Sequence, residues 1–335
     1  MDKDKRPLLT IAVPTYNGEK TIRNLFNLLL PQCISDIEVL ISDNCSTDDT
    51  PKIVDQYCKK YPFIKMVRNQ KNIGPDANFL QCMRLASGKF TWLISDDDVV
   101  IEGAIDKILC FLKRYPNVSL IYASTVDFRG HYEGVEKCSF HRPILSEDIC
   151  TTDKKVFINY AGYYWGFMSS FICSTNAFRQ IKMPERFFGT YWLQSYIHAM
   201  CAKDTEQMGL IKGPCIGAGI YVNTSNFDSS LVNGIYYREL INFMISEGGF
   251  DKKQLERLYR RRICHLSRHD IIKEKSSGVY RINKKQLIHV TRKYPEAWLT
   301  VYPLMCVPPF ICRAAMGVYK RSLRLTQKVS INRPE

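Results

Sequence analysis

The chain has thirteen cysteines, yet no two of them form a C-x-x-C pair. An odd number of singly spread thiols supports neither a disulfide framework, which suits an even count in a short secreted chain, nor a zinc site, whose ligands come closely spaced. The opening MDKDKRPLLTIAVPTYN lacks an apolar stretch followed by a small-residue cleavage site, so no secretory signal is visible. One segment resembles a membrane span, but its longest uncharged run, Ala297 to Cys312, is 16 residues and holds Pro303, Pro308 and Pro309. That is short of the roughly 20 residues a crossing needs, and the prolines break a simple helix. These absences predict a protein of the reducing cytosol with mostly buried thiols. Net charge is also missing from most of the chain. Residues 251–335 hold 20 Lys and Arg against 6 Asp and Glu, which is the whole excess of +14, so residues 1–250 are neutral. A basic surface therefore belongs to the C-terminal segment alone.

What is present is a globular pattern, with 45% hydrophobic and 24% charged residues, which excludes a disordered chain. Strand and helix patterns alternate over the first 125 residues. LLTIAVPTY, DIEVLISD, IKMVRN, KFTWLIS and VSLIYAS read as strands. Between them lie helical patterns, the first with Ile22, Leu25, Phe26, Leu29 and Leu30 on one face. Such alternation implies an α/β fold with a mostly parallel central sheet covered by helices on both faces. After residue 126 the pattern is less regular, and from Tyr236 onward it is helical and basic. The chain is expected to divide at 235/236, with halves 8–125 and 126–235 in the first part.

In parallel sheets, ligands bind beyond the C-terminal ends of strands, and the polar clusters sit there. Thr15, Tyr16 and Asn17 end the first strand, Asp43 and Asn44 the second, and Asp96, Asp97 and Asp98 the fourth. Hard cations such as Mg²⁺ or Mn²⁺ take oxygen ligands, usually one or two carboxylates plus the oxygens of a phosphorylated substrate. Taken alone, the three aspartates also fit a solvated acidic turn capping the next helix.

TIAVPTYNGEKTIRNLFNLL, then DIEVLISDNCSTDDT, then NIGPDANFLQCMRLASGKFTWLISDDD, in that order, resembles the family 2 glycosyltransferases of the GT-A (Rossmann-like) fold. Within them it resembles the abequosyltransferase-like enzymes of bacterial surface polysaccharide assembly. The resemblance is tight over 8–125 and loose over 126–225. It implies inverting transfer from a nucleotide-diphosphate sugar to a glycan acceptor hydroxyl, with Mn²⁺ or Mg²⁺ as cofactor. Carried over position by position, Pro14, Thr15 and Tyr16 would line the nucleotide pocket and Asp43 would bind base or ribose. Asp96 would touch ribose or sugar, Asp97 would share the work, and Asp98 would ligate the metal.

One element of that pattern is missing. The family places an acidic base at the start of a helix in its second half, but FFGTYWLQSYIHAM has no acid between Glu185 and Asp204. His198, Glu185 and Asp127 are left as candidate bases, His198 also reading as a packed helix residue. Trp165, Tyr191 and Trp192 are candidates for stacking on sugar rings, or for core. Arg260, Arg261 and Arg262, beside the apolar stretch from Ala297, suit an interface with anionic lipid. With a lipid-linked acceptor, this predicts a peripheral protein on the inner face of the cell membrane. A sugar-nucleotide-binding protein without turnover is the alternative. Nucleic-acid binding is disfavoured by the neutral first 250 residues and the lack of a binding motif.

Overall fold

The computed structural model describes residues 6–33, 36–139, 145–203, 205, 207–219, 228 and 230–317. The chain forms two compact units, one of Met1–Thr224 with Phe243–Asp251, the other of Ser225–Asn242 with Lys252–Glu335.

The first unit is built on a nine-stranded sheet. Its strands are β1 (Leu9–Thr15), β2 (Ile37–Asp43), β3 (Ile64–Arg68), β4 (Phe90–Leu93), β5 (Val99–Val100), β6 (Leu120–Phe128), β7 (Ile149–Thr151), β8 (Phe171–Ser174) and β9 (Met208–Gly219). They lie in the order β3-β2-β1-β4-β8-β6-β9-β5, with β7 paired to β9. Helices α1 (Ile22–Leu29), α2 (Thr50–Lys60), α3 (Pro75–Leu85), α4 (Ala104–Arg114), α5 (Lys154–Ala161), α6 (Thr175–Arg179) and α7 (Leu193–Cys201) connect and cover them. Every residue of β1, β2 and β4 is buried, as expected of strands with helices on both faces. The predicted face of α1 is the buried one: Ile22, Leu25, Phe26 and Leu29 are enclosed.

Parallel pairing holds for β1 with β2 and β4, β2 with β3, and β6 with β9. The other half is antiparallel: β8 runs against β4 and β6, and β5 and β7 against β9. Within WGFMSSFICST, a 3₁₀ turn at Met168–Ser170 precedes the short β8. The strand order reverses beside β1. β2 and β3 build outward on one side, and the chain returns through α3 to place β4 on the other. β1 and β4 pair only from Leu9/Phe90 to Ala12/Leu93, so beyond Ala12 the two strand ends part. A crevice at such a reversal is where open α/β sheets take their ligands.

In the second unit a π-helical stretch, Ser230–Tyr236, leads into α8 (Tyr237–Ser246), whose last turns belong to the first unit. Then come α9 (Lys252–Ser277), α10 (Lys284–Thr291), α11 (Pro295–Thr300) and α12 (Tyr302–Cys306). Leu255, Tyr259 and Ile263 form the buried face of α9. Arg238 lies 3.6 Å over the Tyr259 ring and donates to Glu256 at 2.5 and 3.2 Å and to the Tyr294 hydroxyl at 2.6 Å. This planar cation, stacked and bidentate, ties three helices at once. Among the described residues no single helix is long and apolar enough to cross a membrane. Pro295–Cys306 and Pro309–Gly317 together form an apolar pair bent by 103°.

Candidate functional site

The crevice between the ends of β1 and β4 is bridged by one polar contact, the Thr15 hydroxyl donating to Asp96 Oδ2. Gly18, in the loop after β1, closes over that pair. A Cβ there would stand 2.3 Å from Asp96 Oδ2 and 2.6 Å from Thr15 Oγ1, so no larger residue fits without moving the aspartate. The same loop is tied to the loop after β2: Asn17 N donates to Ser46 Oγ at 2.9 Å, and Thr47 N to Asn17 Oδ1 at 2.9 Å. Pro14 is buried in β1 opposite Ser42, with the side toward β4 unpaired, so its missing N–H leaves no gap in a ladder. Tyr16 is 48% exposed beside it.

The three aspartates occupy three different environments. Asp96 is half-buried, and its pKa is pushed up to about 7, chiefly by burial; the Thr15 hydrogen bond offsets part of this and the charge of Asp97 adds to it. Asp97 is half-buried and accepts from the Ser95 hydroxyl. Asp98 is 2% exposed, with Ser169 Oγ donating to Oδ2 at 2.5 Å and Gly219 N donating to Oδ1 at 3.1 Å. Burial, then the charge of Asp97, holds its carboxyl well above the usual range. Each of its oxygens accepts one of these hydrogen bonds and keeps a second lone pair, while at 2% exposure the carboxylate expected to ligate a metal is nearly closed to solvent. Ser169 also receives Ser95 N at 3.0 Å, and its carbonyl accepts from Trp92 Nε1 at 2.8 Å. It is a clamp that nothing in the local sequence marks.

On the β2 side, Asp43 is fully buried; Arg68 Nε reaches it at 3.0 Å and Ser46 N at 3.3 Å. Asn44 holds the loop before α3 in place, giving Nδ2 to Asn72 Oδ1 at 2.9 Å and Gly74 O at 3.2 Å, and taking Ile73 N at 2.9 Å. That loop delivers a carboxylate the sequence reading passed over. Asp76, in the first turn of α3, accepts from Gly189 N at 2.6 Å, in the loop that enters α7. Burial raises its pKa, and the Gly189 bond offsets part of the rise. This is the loop where the resemblance expects a base, and the carboxylate beside it comes from a different helix. The signal was the NIGPDAN stretch, with its Gly-Pro helix start and acid at the second position.

The remaining candidates fall elsewhere. His198 is 4% exposed, its ring stacked 4.3 Å from Phe171 and edge-on to Trp165 at 6.3 Å. Burial lowers its pKa to about 3, and a ring so enclosed and so weakly basic is unsuited to take a proton from an acceptor hydroxyl. Glu185 pairs with Arg84 at 2.5 Å. Arg84 is in the last turn of α3, ~12 Å along the helix from Asp76, away from the rim where α3 begins. Trp165 and Trp192, 1% and 3% exposed, are core residues with no face for a sugar. Trp165 donates Nε1 to Ser195 O at 2.9 Å, and Trp192 packs on Gly166. Tyr191 differs: it is 53% exposed and held at φ 65, a left-handed backbone that costs a non-glycine residue about 1 kcal/mol. Asp127 is half-buried on β6, whose C-terminal end points to the same rim as that of β4, both strands running against β8.

Residues 10–174 match the Glycosyl transferase family 2 profile. Abequosyltransferase RfbV of Salmonella typhimurium is 25% identical over 201 residues, covering 57% of this chain and 60% of the relative. The GalNAc(5)-diNAcBac-PP-undecaprenol beta-1,3-glucosyltransferase of Campylobacter jejuni is 32% identical over 104 residues, 31% of this chain and 34% of the relative. The chain thus spans less than two thirds of either. Among solved structures, S. aureus TarS 1-349 in complex with UDP-GlcNAc superposes with a TM-score of 0.62 at 15% identity, covering 91% of this chain and 87% of TarS 1-349. That likeness bears on the fold, which is the α/β fold anticipated from the strand and helix pattern, in the GT-A form that the resemblance implied. The segment that begins in β1 and ends with β8 thus matches the glycosyl transferase family 2 domain.

Proposed function

We propose that this protein is an inverting, metal-dependent glycosyltransferase that moves a sugar from a nucleoside-diphosphate donor to a hydroxyl of a glycan. The observation that carries the reading is the Thr15–Asp96 contact across the β1/β4 crevice, under Gly18. Asp96 and Asp97 are the carboxylates there with access to solvent, and neither has a cationic side chain beside it in any ion pair among the described residues. No three or more His, Cys, Asp or Glu side chains gather into a cage among the described residues. The donor set therefore fits Mg²⁺ or Mn²⁺ held by one or two carboxylates, with the rest of its shell from diphosphate and water. Asp96 and Asp97 would hold it, while Asp98 keeps the turn in register through Ser169 and Gly219. The ion supplies Lewis-acid stabilisation of the charge gathering on the leaving diphosphate.

The side chains do the rest. Pro14, Thr15 and Tyr16 wall the nucleotide on the β1 side; Asp43, braced by Arg68, sets the β2 side for base or ribose. Asp76, whose Oδ2 is fixed by Gly189, presents its other oxygen as the proton acceptor for the attacking hydroxyl. Its burial-raised pKa suits a general base, and such a base contributes about 10²–10⁴-fold. Tyr191, standing out of the adjoining loop, meets the acceptor glycan. The names of the two relatives support a role in bacterial surface polysaccharide assembly. The PP-undecaprenol acceptor named for the Campylobacter enzyme supports a lipid-linked acceptor here, and with it a peripheral position on the inner face of the cell membrane.

The test is a thermal-shift screen of nucleoside diphosphates and their sugars, with and without Mn²⁺, on wild type and Asp96→Asn. A ligand of the folded state raises its apparent stability by mass action, about 2.7 kcal/mol at 100 times Kd. A metal-dependent rise for one nucleotide family is expected, and its loss in Asp96→Asn. If no nucleotide gives a metal-dependent shift, the reading fails. Binding without hydrolysis or transfer to any glycan would mark the alternative, a sugar-nucleotide-binding protein.

A further inference from the structure

The basic excess of the C-terminal segment is organised. On α9, Arg260 and Arg261 stand three and four residues after Arg257, and Arg268 seven after Arg261, which sets them on one face. The opposite face, Leu255, Tyr259 and Ile263, is the buried one. A solvated basic face would be unremarkable, but this one is roofed. Glu296 and Thr300, four apart on α11, close a cleft of about 490 Å³ over the arginines. Glu296 pairs with Arg260 at 3.2 Å. Arg257, Arg261 and Arg268 pair with no carboxylate among the described residues. Four guanidiniums thus face one cleft with one acid among them, and that acid pairs with Arg260.

The cleft has an apolar border. Trp298 and Leu299, between the two α11 residues that roof it, are 60% and 79% exposed. Past the 103° bend, Phe310 and Ile311 are 64% and 46% exposed. Four large apolar side chains in water, on an apolar helix pair bent by 103° in which neither helix alone is long enough to span, suit insertion to the depth of headgroups and upper acyl chains. Guanidinium forks match phosphate oxygens bidentately. Over residues 252–317 there are 15 Lys and Arg against 4 Asp and Glu, a complement to an anionic surface.

We propose that the α9/α11 cleft is a phosphate-binding site that seats this unit on a bilayer of anionic phospholipid, its arginines taking headgroup phosphates while Trp298, Leu299, Phe310 and Ile311 enter the interface. The proposal deepens the membrane-surface reading given above by naming the residues and the lipid chemistry. Donor binding at the β1/β4 crevice does not depend on it, so either can fail alone.

The test is co-sedimentation of the full chain with vesicles of phosphatidylcholine alone or with 30 mol% phosphatidylglycerol. Variants are Arg257→Gln/Arg261→Gln/Arg268→Gln, Trp298→Ser/Leu299→Ser, and a charge-matched control on the first unit, Lys20→Gln/Lys59→Gln/Lys60→Gln. About fivefold per arginine is expected, hence about a hundredfold weaker partitioning for the triple variant on anionic vesicles. The control should stay within a few-fold of wild type, and the apolar pair should lose binding at high salt, where the electrostatic part is screened. Nucleotide-dependent thermal shifts, unchanged in the arginine variant, show that it folds. Equal binding to both vesicle types overturns the proposal, as does an equal loss in the control. Arginine-dependent binding of inorganic phosphate with arginine-independent vesicle binding overturns it in favour of a soluble anion. Arginine-dependent binding of single- or double-stranded DNA, with none to vesicles, overturns it in favour of nucleic acid.

Discussion

His198 is the sharpest point at which structure and sequence motif part, and replacing it with phenylalanine tests the structural account. The ring is 4% exposed between Phe171 and Trp165, and burial brings its pKa down to about 3 from an ordinary value of 6.5. Below pH 6.5 the unfolded chain binds a proton at this site and the folded chain does not. Stability from a neutral His198 is therefore complete above about pH 6.5 and is lost as the pH falls toward 3. At pH 5 the loss is RT ln(1 + 10^1.5), about 2 kcal/mol, and a folded value one unit higher would leave that figure unchanged. Asp96 and Asp98 act oppositely. Their folded pKa values are raised, so their contribution grows as the pH falls, and wild type shows only the sum. The difference between wild type and His198→Phe isolates the histidine. The substitution is mild, because the Trp165 carbonyl that His198 Nδ1 approaches at 3.4 Å also accepts from Ser195 Oγ at 3.0 Å. A small cavity beside the ring, lined by Phe79, Met83 and Ile197 among others, gives the phenyl group room.

Urea unfolding at pH 7.5 and 5.0 is the assay, in a Trp298→Phe background so that Trp92, Trp165 and Trp192 report the first unit. Two compact units make a single global transition an unsafe assumption. Between the two pH values wild type should lose about 2 kcal/mol more than His198→Phe, and transfer activity at neutral pH should fall less than threefold. An equal pH response in both proteins would refute the burial argument. A loss of 10² or more in kcat in a folded His198→Phe would refute the exclusion of His198 from the chemistry.

Three further outcomes are expected. Asp98→Ala leaves the Ser169 hydroxyl and the Gly219 N–H without their acceptor, at about 1–3 kcal/mol each, read as a lower urea midpoint. Asp98→Asn keeps an acceptor and removes a buried charge, so it should match or exceed wild-type stability at pH 8, where the raised pKa makes the carboxylate costly; a fall there would refute the assignment. Asp76→Asn should lower kcat by at least 10²-fold and flatten the acid limb of the pH–rate profile while donor Kd stays within twofold; Asp127→Asn should not, and the reverse result would move the base to β6. Gly18→Ala drives a methyl group against Asp96, so metal-dependent donor binding measured by calorimetry should weaken tenfold or more, and unchanged binding would show that the Thr15–Asp96 contact does not organise the site.

The first 125 residues were legible because β1, β2 and β4 are enclosed on both faces and so read as apolar runs, while each helix shows its period of 3.6. The polar ends of β1, β2 and β4 followed from the same pattern, since a core strand stops being apolar where it reaches the rim. The second half resisted for physical reasons. β5 is two residues long and β8 four, too short to carry a period, and antiparallel pairing of such strands depends on distant partners. Aromatic residues there were ambiguous between ligand contact and core, and burial decided it for Trp165, Trp192 and His198. Asp76 was missed for a related reason. An acid in the first turn of a helix reads as a dipole partner, and nothing local to NIGPDAN shows that it reaches a loop 113 positions away.

Three like charges in a row repel in water and repel more in a crevice of low polarity, so their persistence here calls for distinct surroundings. The turn supplies them. Residue 98 points into the sheet, where a strand N–H from β9 and a buried hydroxyl satisfy it. Residue 96 points across the crevice to Thr15, and residue 97 folds back on Ser95. In the absence of a cation a proton on Asp96 relieves the cost of its charge, which burial chiefly sets and Asp97 adds to, and which pushes its pKa up to about 7. A divalent ion would relieve it instead, so metal binding and proton release are linked at this turn. Mn²⁺ affinity should therefore rise steeply with pH through about 7 in wild type and far less in Asp96→Asn, a slope that calorimetry in buffers of different ionisation enthalpy resolves. A pH-independent affinity in wild type would mean that the ion does not meet Asp96 at all.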